Sequence, residues 1–261
     1  MYIDECNAGC DSFMVSTFNC DHEYRSTPVF FLEICQEMSS RHCQLKNISI
    51  RDLNRQSKTW VLNRLSMVIY GYPQLSDEIT AKTAMPLNSG KGAYRFHSLF
   101  DGDGNLLAAA RDRFAVLDIN TRESLPVDEI CRKVGTYTDD CSWARQLEGK
   151  DRRFDIDFIK SMELYGKYSP EILFEDSDYN GHVNHIVYFR WMIASMEKNM
   201  MLENKPCYID IFYHKEIHMT DKVSIEVRSE NSFSYYYIVR KNNSDEIACI
   251  GHVVYKVREK Q

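Results

Sequence analysis

Residues 178–185 read Asp178-Tyr179-Asn180-Gly181-His182-Val183-Asn184-His185 and stand directly before an apolar helical pattern. A carboxylate, an amide and an imidazole recur here at every second position, at Asp178, Asn180 and His182. Alternate residues of an extended segment point to the same side, so we expect these three side chains to converge. The stretch predicts a polar cluster at the start of a helix.

The helix that follows has a counterpart near the beginning of the chain. Apolar residues recur at helical spacing over residues 187–195, and a similar stripe covers residues 31–38. Pro28 suits the first position of the earlier helix, with Ser26 or Thr27 as its cap. The pattern predicts one main helix in each half of the chain.

Similar residues fall together when the two halves are aligned at fixed offsets, which predicts an internal duplication. The offset is 157 around the helix, 144 over the next strands and 140 near the end of each half, because the loops differ in length. The aligned pairs include Asp21 with Asp178, Leu65 with Ile209, Asp77 with Asp221, Leu107 with Ile247 and Phe114 with Val254. Each half would then hold one helix followed by about four antiparallel strands.

A polar segment between about residues 120 and 154 separates the halves, with a short helix expected at residues 127–133. One arrangement hides the strand edges and buries both helices: a curved antiparallel sheet around one helix in each half, with the two sheets joined into one. We therefore predict an α+β fold built from a repeated helix-and-sheet unit.

Composition and charge exclude several classes of protein. Hydrophobic residues make up 44% and charged residues 27%, which is typical of a globular chain, and no apolar run reaches the roughly 18 residues of a membrane helix. The formal net charge of −6 argues against binding of nucleic acid through bulk electrostatics. The acidic first residues lack the apolar core of a signal peptide, so we expect a cytoplasmic protein.

The metal-binding residue types do not form a recognisable metal motif. The nine cysteines are an odd number without a C-x-x-C pair, which favours free thiols in a reducing compartment. His182 and His185 stand three residues apart across a helix start and, with Asp178, give only three ligands. We expect neither a metal nor a cofactor.

A second polar residue, Glu216, interrupts an apolar strand pattern, and its counterpart at the 144 offset is Tyr72. The helix that follows the polar cluster would offer free N–H groups near Gly181 to Asn184 and the positive end of its dipole. These groups are the parts needed to activate a water and to stabilise an oxyanion.

A structural interpretation of the same residues stays open, because Asp and Asn are common turn and cap residues. The comparison of the halves favours function. Asn180 and His182 align with Glu23 and Arg25, so the first copy lacks the polar set.

At these residues the sequence resembles the acyl-acyl carrier protein (acyl-ACP) thioesterases of bacterial type, a family with a double hot-dog fold. The family's Asp-x-Asn-x-His-Val-Asn motif matches residues 178–184 and is followed by Tyr188, and its Tyr-x-x-Glu strand motif matches Tyr213 and Glu216. The resemblance extends from about residue 18 to residue 257. Some members carry a cysteine after the motif glutamate; Ile217 stands there in this chain, so no thiol nucleophile is expected.

The resemblance implies a tandem hot-dog fold, in which two long helices are wrapped by a continuous curved antiparallel sheet. It implies an N-terminal hot-dog domain at residues 1–135, with the acyl-chain pocket and a degenerate site. A connector at residues 136–155 and a C-terminal hot-dog domain at residues 156–261, with the catalytic motif, would follow.

The resemblance also implies which residues act in catalysis. The expected catalytic residues are Asp178, Asn180, His182 and Glu216, with the backbone of Gly181 and Val183 as oxyanion donors. The carboxylate of Glu216 would approach the imidazole of His182 beside the start of the later helix. Glu216, or Asp178 working with His182, would take the proton from a water molecule. Asn180 would hold that water or the carbonyl oxygen.

The implied reaction is hydrolysis of the thioester bond of acyl-ACP, which releases a free fatty acid and ends chain elongation in fatty acid biosynthesis. The partner would be an acyl carrier protein whose phosphopantetheine group carries the acyl chain, and a homodimer is left open. Two alternatives remain: an acyl-coenzyme A thioesterase of the same fold, and a non-catalytic module that binds acyl-ACP.

Overall fold

The computed structural model describes residues 1–135, 137, 147, 153–242 and 246–258, with the backbone alone described for residues 86–89. The chain divides into two compact units, Met1–Glu148 and Gly149–Gln261. The connector predicted at residues 136–155 lies largely outside the described residues, so the predicted domain boundaries stay a prediction.

The first unit packs one long helix against an antiparallel sheet. Its elements are β1 (Tyr2–Ile3), β2 (Gly9–Met14), α1 (Pro28–Leu45), α2 (Ile50–Asn54), β3 (Lys58–Ile69), β4 (Glu78–Ser89), β5 (Gly92–Phe100), β6 (Leu106–Asp118), β7 (Ser124–Leu125) and α3 (Asp128–Arg132). The strands are ordered β1-β2-β4-β5-β6-β3, and β7 pairs with β6. The short helix expected at residues 127–133 is α3, and the four strands expected after the main helix are β3 to β6.

Helix α1 begins where its sequence predicts. Thr27 is its N-cap residue with an extended backbone, and Pro28 occupies the first turn, where its missing N–H costs no hydrogen bond. The predicted stripe over residues 31–38 faces the core, and its members Phe31 and Met38 have no exposed surface. The helix is therefore held by burial of one apolar face against the sheet.

The second unit repeats this plan with a shorter main helix of 10 residues. Its elements are α4 (Ile156–Ser161), β8 (Glu163–Tyr168), α5 (His185–Ala194), α6 (Lys198–Glu203), β9 (Asn204–Tyr213), β10 (Val223–Asn231), β11 (Ser234–Lys241) and β12 (Ile247–Val257). The strands are ordered β9-β12-β11-β10-β8. The prediction of one main helix followed by four antiparallel strands is confirmed in each unit.

Helix α5 lies close to strand β12 because the strand carries a glycine. A Cβ atom built on Gly251 would stand 2.5 Å from Sδ of Met192, a residue of α5 with no exposed surface. The absence of a side chain at position 251 therefore sets how closely this helix approaches the sheet.

The hydrogen bonds confirm the duplication and correct one of its offsets. The N–H groups of Tyr70 and Gly71 both donate to the carbonyl of Leu107, at 2.8 and 3.2 Å. At the 144 offset, the N–H groups of residues 214 and 215 both donate to the carbonyl of Ala248, at 2.8 and 3.1 Å. The last strands therefore correspond at an offset of 141 (248 − 107), and the predicted value of 140 is wrong by one residue.

The physical reason for this error lies in the burial of the two strands. Both β6 and β12 hold four consecutive buried residues near their start, so hydrophobic residues do not alternate with polar ones. A pattern without alternation does not fix the register.

Two further expectations concern the whole chain. Among the described residues, no helix combines the length and apolar character that crossing a bilayer requires. The eight cysteines in the described part of the chain are all free, as expected from their number and spacing, and Cys141 lies outside it.

Candidate active site

A tight turn at residues 177–183 carries the predicted polar residues. Ser177 and Val183 pair in an antiparallel bridge, and the N–H of Asp178 donates to the carbonyl of His182 at 2.8 Å. The N–H of Gly181 donates to the carbonyl of Asp178 at 3.0 Å, and Gly181 has a φ of 75°, which glycine adopts at the lowest cost. The turn fixes the chain just before α5.

The carboxylate of Asp178 supports this turn. Its Oδ1 atom accepts the N–H of Asn180 at 2.8 Å and the N–H of His182 at 3.4 Å. The first unit contains the same arrangement, in which Oδ1 of Asp21 accepts the N–H groups of Glu23 and Arg25 at 2.9 and 3.2 Å. The aspartate is thus the part of the motif that the turn itself requires.

The other members of the polar set are not needed for the turn. Glu23 and Arg25 hold the same backbone in the first unit that Asn180 and His182 hold in the second. The structural interpretation therefore accounts for the aspartate, and it leaves the amide and the imidazole unexplained.

A second loop, between β9 and β10, brings Glu216 to the turn. The N–H of Val183 donates to the carbonyl of Ile217 at 2.8 Å, and His182 forms a backbone bridge with His218. As a result, Nε2 of His182 lies 3.6 Å from Oε2 of Glu216, with 24% and 31% of the two side chains exposed. The expected approach of these two residues is confirmed.

Two tyrosines fasten the end of β9 to the start of α5. The hydroxyl of Tyr213 donates to the carbonyl of His185 at 3.1 Å, and the hydroxyl of Tyr188 donates to the carbonyl of Lys215 at 3.5 Å. The two tyrosine rings meet edge to face with centroids 5.5 Å apart. Burial raises the pKa of Tyr188, so its hydroxyl remains a donor at neutral pH. The tyrosines of the two sequence motifs therefore position the loop that carries Glu216.

The two backbone N–H groups predicted as oxyanion donors already have hydrogen-bond partners in this structure. The N–H of Gly181 already donates to Asp178, and the N–H of Val183 already donates to Ile217. The helical pattern predicted that these groups lie at a helix start, where N–H groups lack partners, whereas the structure places them in the turn before the helix. Asn180 remains on the exposed side of this turn, and no side-chain hydrogen bond of Asn180 occurs among the described residues.

His218 was missed by the sequence analysis. Its ring meets that of His182 edge to face, with centroids 4.7 Å apart. The potential metal-ligand atoms of His182, Glu216 and His218 all lie within 4.8 Å of one another. Among the described residues, these three side chains form the group that could hold a metal ion. The three metal ligands considered from the sequence, His182, His185 and Asp178, do not form this group. The sequence did hold a signal for His218. At the 144 offset it aligns with Gln74, so this imidazole, like that of His182, is absent from the first half.

Comparisons with known proteins agree over both units. Residues 11–134 match the family described as acyl-ACP thioesterase N-terminal domain, and residues 159–257 match the acyl-ACP thioesterase C-terminal domain. An acyl-[acyl-carrier-protein] hydrolase of Cuphea viscosissima is 20% identical over 91% of this chain and 60% of its own length. An oleoyl-acyl carrier protein thioesterase of Arabidopsis thaliana is 22% identical over 84% of this chain and 62% of its own. The chain thus spans about 60% of the length of these curated relatives.

Solved structures show the same fold. An acyl-ACP thioesterase from Bacteroides thetaiotaomicron superposes with a TM-score of 0.81 and 22% identity, over 97% of this chain and 99% of the other. A 12:0-ACP thioesterase from Umbellularia californica gives a TM-score of 0.81 and 13% identity, over 97% and 98%. The predicted α+β tandem hot-dog fold is confirmed.

Proposed function

Because the chain belongs to the acyl-ACP thioesterase family, we propose that it hydrolyses the thioester bond of an acyl-acyl carrier protein. The products are a free fatty acid and the carrier's phosphopantetheine thiol, and the reaction ends chain elongation in fatty acid biosynthesis. The observation that carries the proposal is the 3.6 Å approach of His182 and Glu216 beside a turn that the first unit repeats without either residue.

Glu216 is the general base of the proposed mechanism. A carboxylate that is one-third exposed can contact both solvent water and a bound substrate. His182 orients the carboxylate, and the separation of 3.6 Å leaves room for the contact to shorten when substrate binds, as such contacts commonly do. Glu216 is preferred over Asp178 because Oδ1 of Asp178 already accepts two backbone N–H groups.

Water is the only reactant that the chemical step requires besides the thioester. Glu216 takes a proton from the water, whose oxygen attacks the thioester carbonyl and forms a tetrahedral intermediate. The carbon–sulfur bond then breaks, and the sulfur leaves as a thiolate, because a thiol with a pKa of about 8.5 needs little protonation to depart. The proton on Glu216 passes to the thiolate or to solvent, which restores the enzyme.

The side-chain amide of Asn180 takes over the role first assigned to the backbone. Its Nδ2 can donate to the carbonyl oxygen, where negative charge develops during the attack. The Asp178 carboxylate anchors the backbone N–H of Asn180 and so determines where that side chain starts. A thiol nucleophile has no place in this scheme, because Ile217, whose side chain is a buried hydrocarbon, stands where some members of the family carry a cysteine.

The test is a hydrolysis assay on acyl-ACP thioesters of graded chain length, with release of the thiol followed by a thiol reagent. Coenzyme A thioesters of equal chain length serve as the comparison. We expect a higher kcat/KM for the carrier-protein substrates. A preference for coenzyme A thioesters would favour the first alternative, and binding of acyl-ACP without thiol release would favour the non-catalytic module.

A further inference from the structure

We propose that His182, Glu216 and His218 form a binding site for a divalent transition metal ion of the zinc type, and that the bound ion inhibits the hydrolase. The binding part is independent of the proposed function, whereas the inhibition part rests on it.

The donor atoms suit such an ion in kind and in number. Two imidazoles and one carboxylate are a recurrent zinc ligand set, in which water completes the tetrahedron. Imidazole also suits copper, nickel and iron, whereas magnesium and calcium prefer oxygen ligands throughout. The pair of imidazoles therefore selects for transition metals.

The spacing of the donor atoms is close to that of a bound ion. Ligand atoms at about 2.0–2.1 Å from a tetrahedral zinc ion lie roughly 3.3 Å from one another. Nε2 of His182 and Oε2 of Glu216 are 3.6 Å apart, and the ligand atom of His218 lies within 4.8 Å of both. The His218 side chain is exposed, and rotation of its ring would bring its donor atom closer to the other two.

The backbone holds the three residues in place before any ion arrives. A bridge joins His182 to His218, and the N–H of Val183 donates to the carbonyl of Ile217 at 2.8 Å. The N–H of His218 donates to Oδ2 of Asp221 at 2.8 Å. Binding therefore orders a few side-chain torsions and leaves the chain path unchanged, which keeps the entropic cost low.

The fold does not require this set of side chains. The first unit forms the equivalent bridge between Arg25 and Gln74 and has Tyr72 opposite Glu216. Arg25 and Gln74 carry no imidazole, so the same backbone is built there without a metal ligand. The three ligands converge for a reason other than the stability of the loops.

Inhibition follows from the shared carboxylate. A metal ion held by Glu216 uses the oxygen lone pair that would otherwise accept the proton from water. The ion also occupies the space beside His182 that the attacking water needs. Hydrolysis and metal binding therefore compete for one site.

The binding test is titration of the chelator-treated full chain with Zn²⁺ by isothermal titration calorimetry. We expect one ion per chain, with affinity at least about tenfold weaker in His218→Ala, because loss of a supporting residue near a metal already costs 10–100-fold. His22→Ala is the matched control, since His22 is an exposed imidazole close to the equivalent turn of the first unit. Equal affinity in His218→Ala and wild type, or no binding at all, would overturn the site.

Cobalt separates this site from binding by the free thiols. Co²⁺ bound by imidazole and carboxylate shows visible absorption without the intense near-ultraviolet band of cobalt thiolates. A thiolate band in the cobalt-loaded wild type would assign the ion to cysteine and would also overturn the site.

The activity test uses the acyl-ACP assay with and without Zn²⁺. Zinc should lower kcat/KM of the wild type at least fivefold, and a chelator should restore it. His218→Ala should resist zinc, so its own kcat/KM should change less than twofold when the ion is added. Activation by zinc would refute the inhibition. If no form of the protein hydrolyses acyl-ACP, the proposed function fails, and the binding titration still decides the metal site.

Discussion

Arg25 and His182 occupy the same place in two copies of one turn. Each forms a backbone bridge to the loop after the next strand, to Gln74 and to His218 respectively. Nη1 of Arg25 donates to the carbonyl of Tyr72 at 3.2 Å, a contact to main chain alone. The imidazole of His182 instead faces the carboxylate of Glu216. The same backbone conformation therefore presents different functional groups in the two units.

Replacement of Glu216 by glutamine should reduce kcat by roughly 10²–10⁴-fold, because the amide cannot accept the proton from water. His182→Ala should lose at least tenfold while the protein remains folded. The measurement is steady-state hydrolysis of acyl-ACP together with circular dichroism. Glu246→Gln is the control, since Glu246 is an exposed carboxylate near Lys215 and Lys241 and should behave as wild type. Wild-type rates in Glu216→Gln and His182→Ala would refute the assignment.

Asp178 should act on stability and not on the chemical step. Asp178→Ala and Asp21→Ala should each lower the free energy of unfolding by about 1–3 kcal/mol, because two backbone N–H groups lose a charged acceptor. Urea unfolding measures this. Asp178→Asn keeps an acceptor oxygen, so its stability and kcat should stay near wild type. A hundredfold loss of kcat in Asp178→Asn at unchanged stability would restore this aspartate as the base.

His42, in the first unit, should lower the free energy of unfolding of the protein in mild acid. Burial, with the nearby cations Arg95 and Lys46 acting in the same direction, lowers the pKa of His42 to about 3. In the unfolded chain the imidazole titrates near 6.5. Between these values the unfolded state binds more protons, so the free energy of unfolding falls as the pH decreases below about 6.5 and is unaffected above it.

From this side chain we expect a loss of about 2 kcal/mol between pH 7.5 and pH 5. His42→Gln removes the titrating group and keeps an acceptor for Nη1 of Arg95, which lies 2.9 Å from Nδ1 of His42. Urea unfolding at the two pH values should show a smaller difference for the variant. An identical difference in both proteins would contradict the role of His42.

Gly251→Ala should destabilise the second unit by about 1–3 kcal/mol, the usual cost of overpacking. The new methyl group would meet Sδ of Met192, which is buried and has little space to move. Gly166→Ala is the control, because no atom lies within 4 Å of its added Cβ. Equal unfolding midpoints for the two variants would show that α5 can shift away from β12.

Much of the fold could be predicted because the signals were periodic and repeated. The apolar stripe of α1 and the proline at its start predict one helix with a defined beginning. The approach of His182 and Glu216 was implied by the family resemblance, and the absence of both residues from the first half supported a role for them. A duplicated chain supplies its own comparison, in which differences between copies indicate function.

Other parts of the fold and the site could not be predicted, because they depend on contacts that a hydrophobic pattern does not show. Strand β8 was missed because it is a half-exposed edge strand without clear alternation. The N–H groups of Gly181 and Val183 donate to the carbonyls of Asp178 and Ile217. The first partner lies within the turn and the second is distant in sequence, so the pattern did not reveal these hydrogen bonds. His218 lies in a loop, where residue type alone does not show which neighbour it faces.

The shared turn makes the first unit a ready acceptor for a grafted reaction centre. Glu23→Asn and Arg25→His would place an amide and an imidazole on a backbone already shaped for them. The obstacle is Tyr72, which is only 6% exposed and whose ring stands edge-on to Phe31 at 5.5 Å. Transplanting the carboxylate would therefore remove a packed aromatic side chain, so the graft must rebuild the core beneath it as well as the surface.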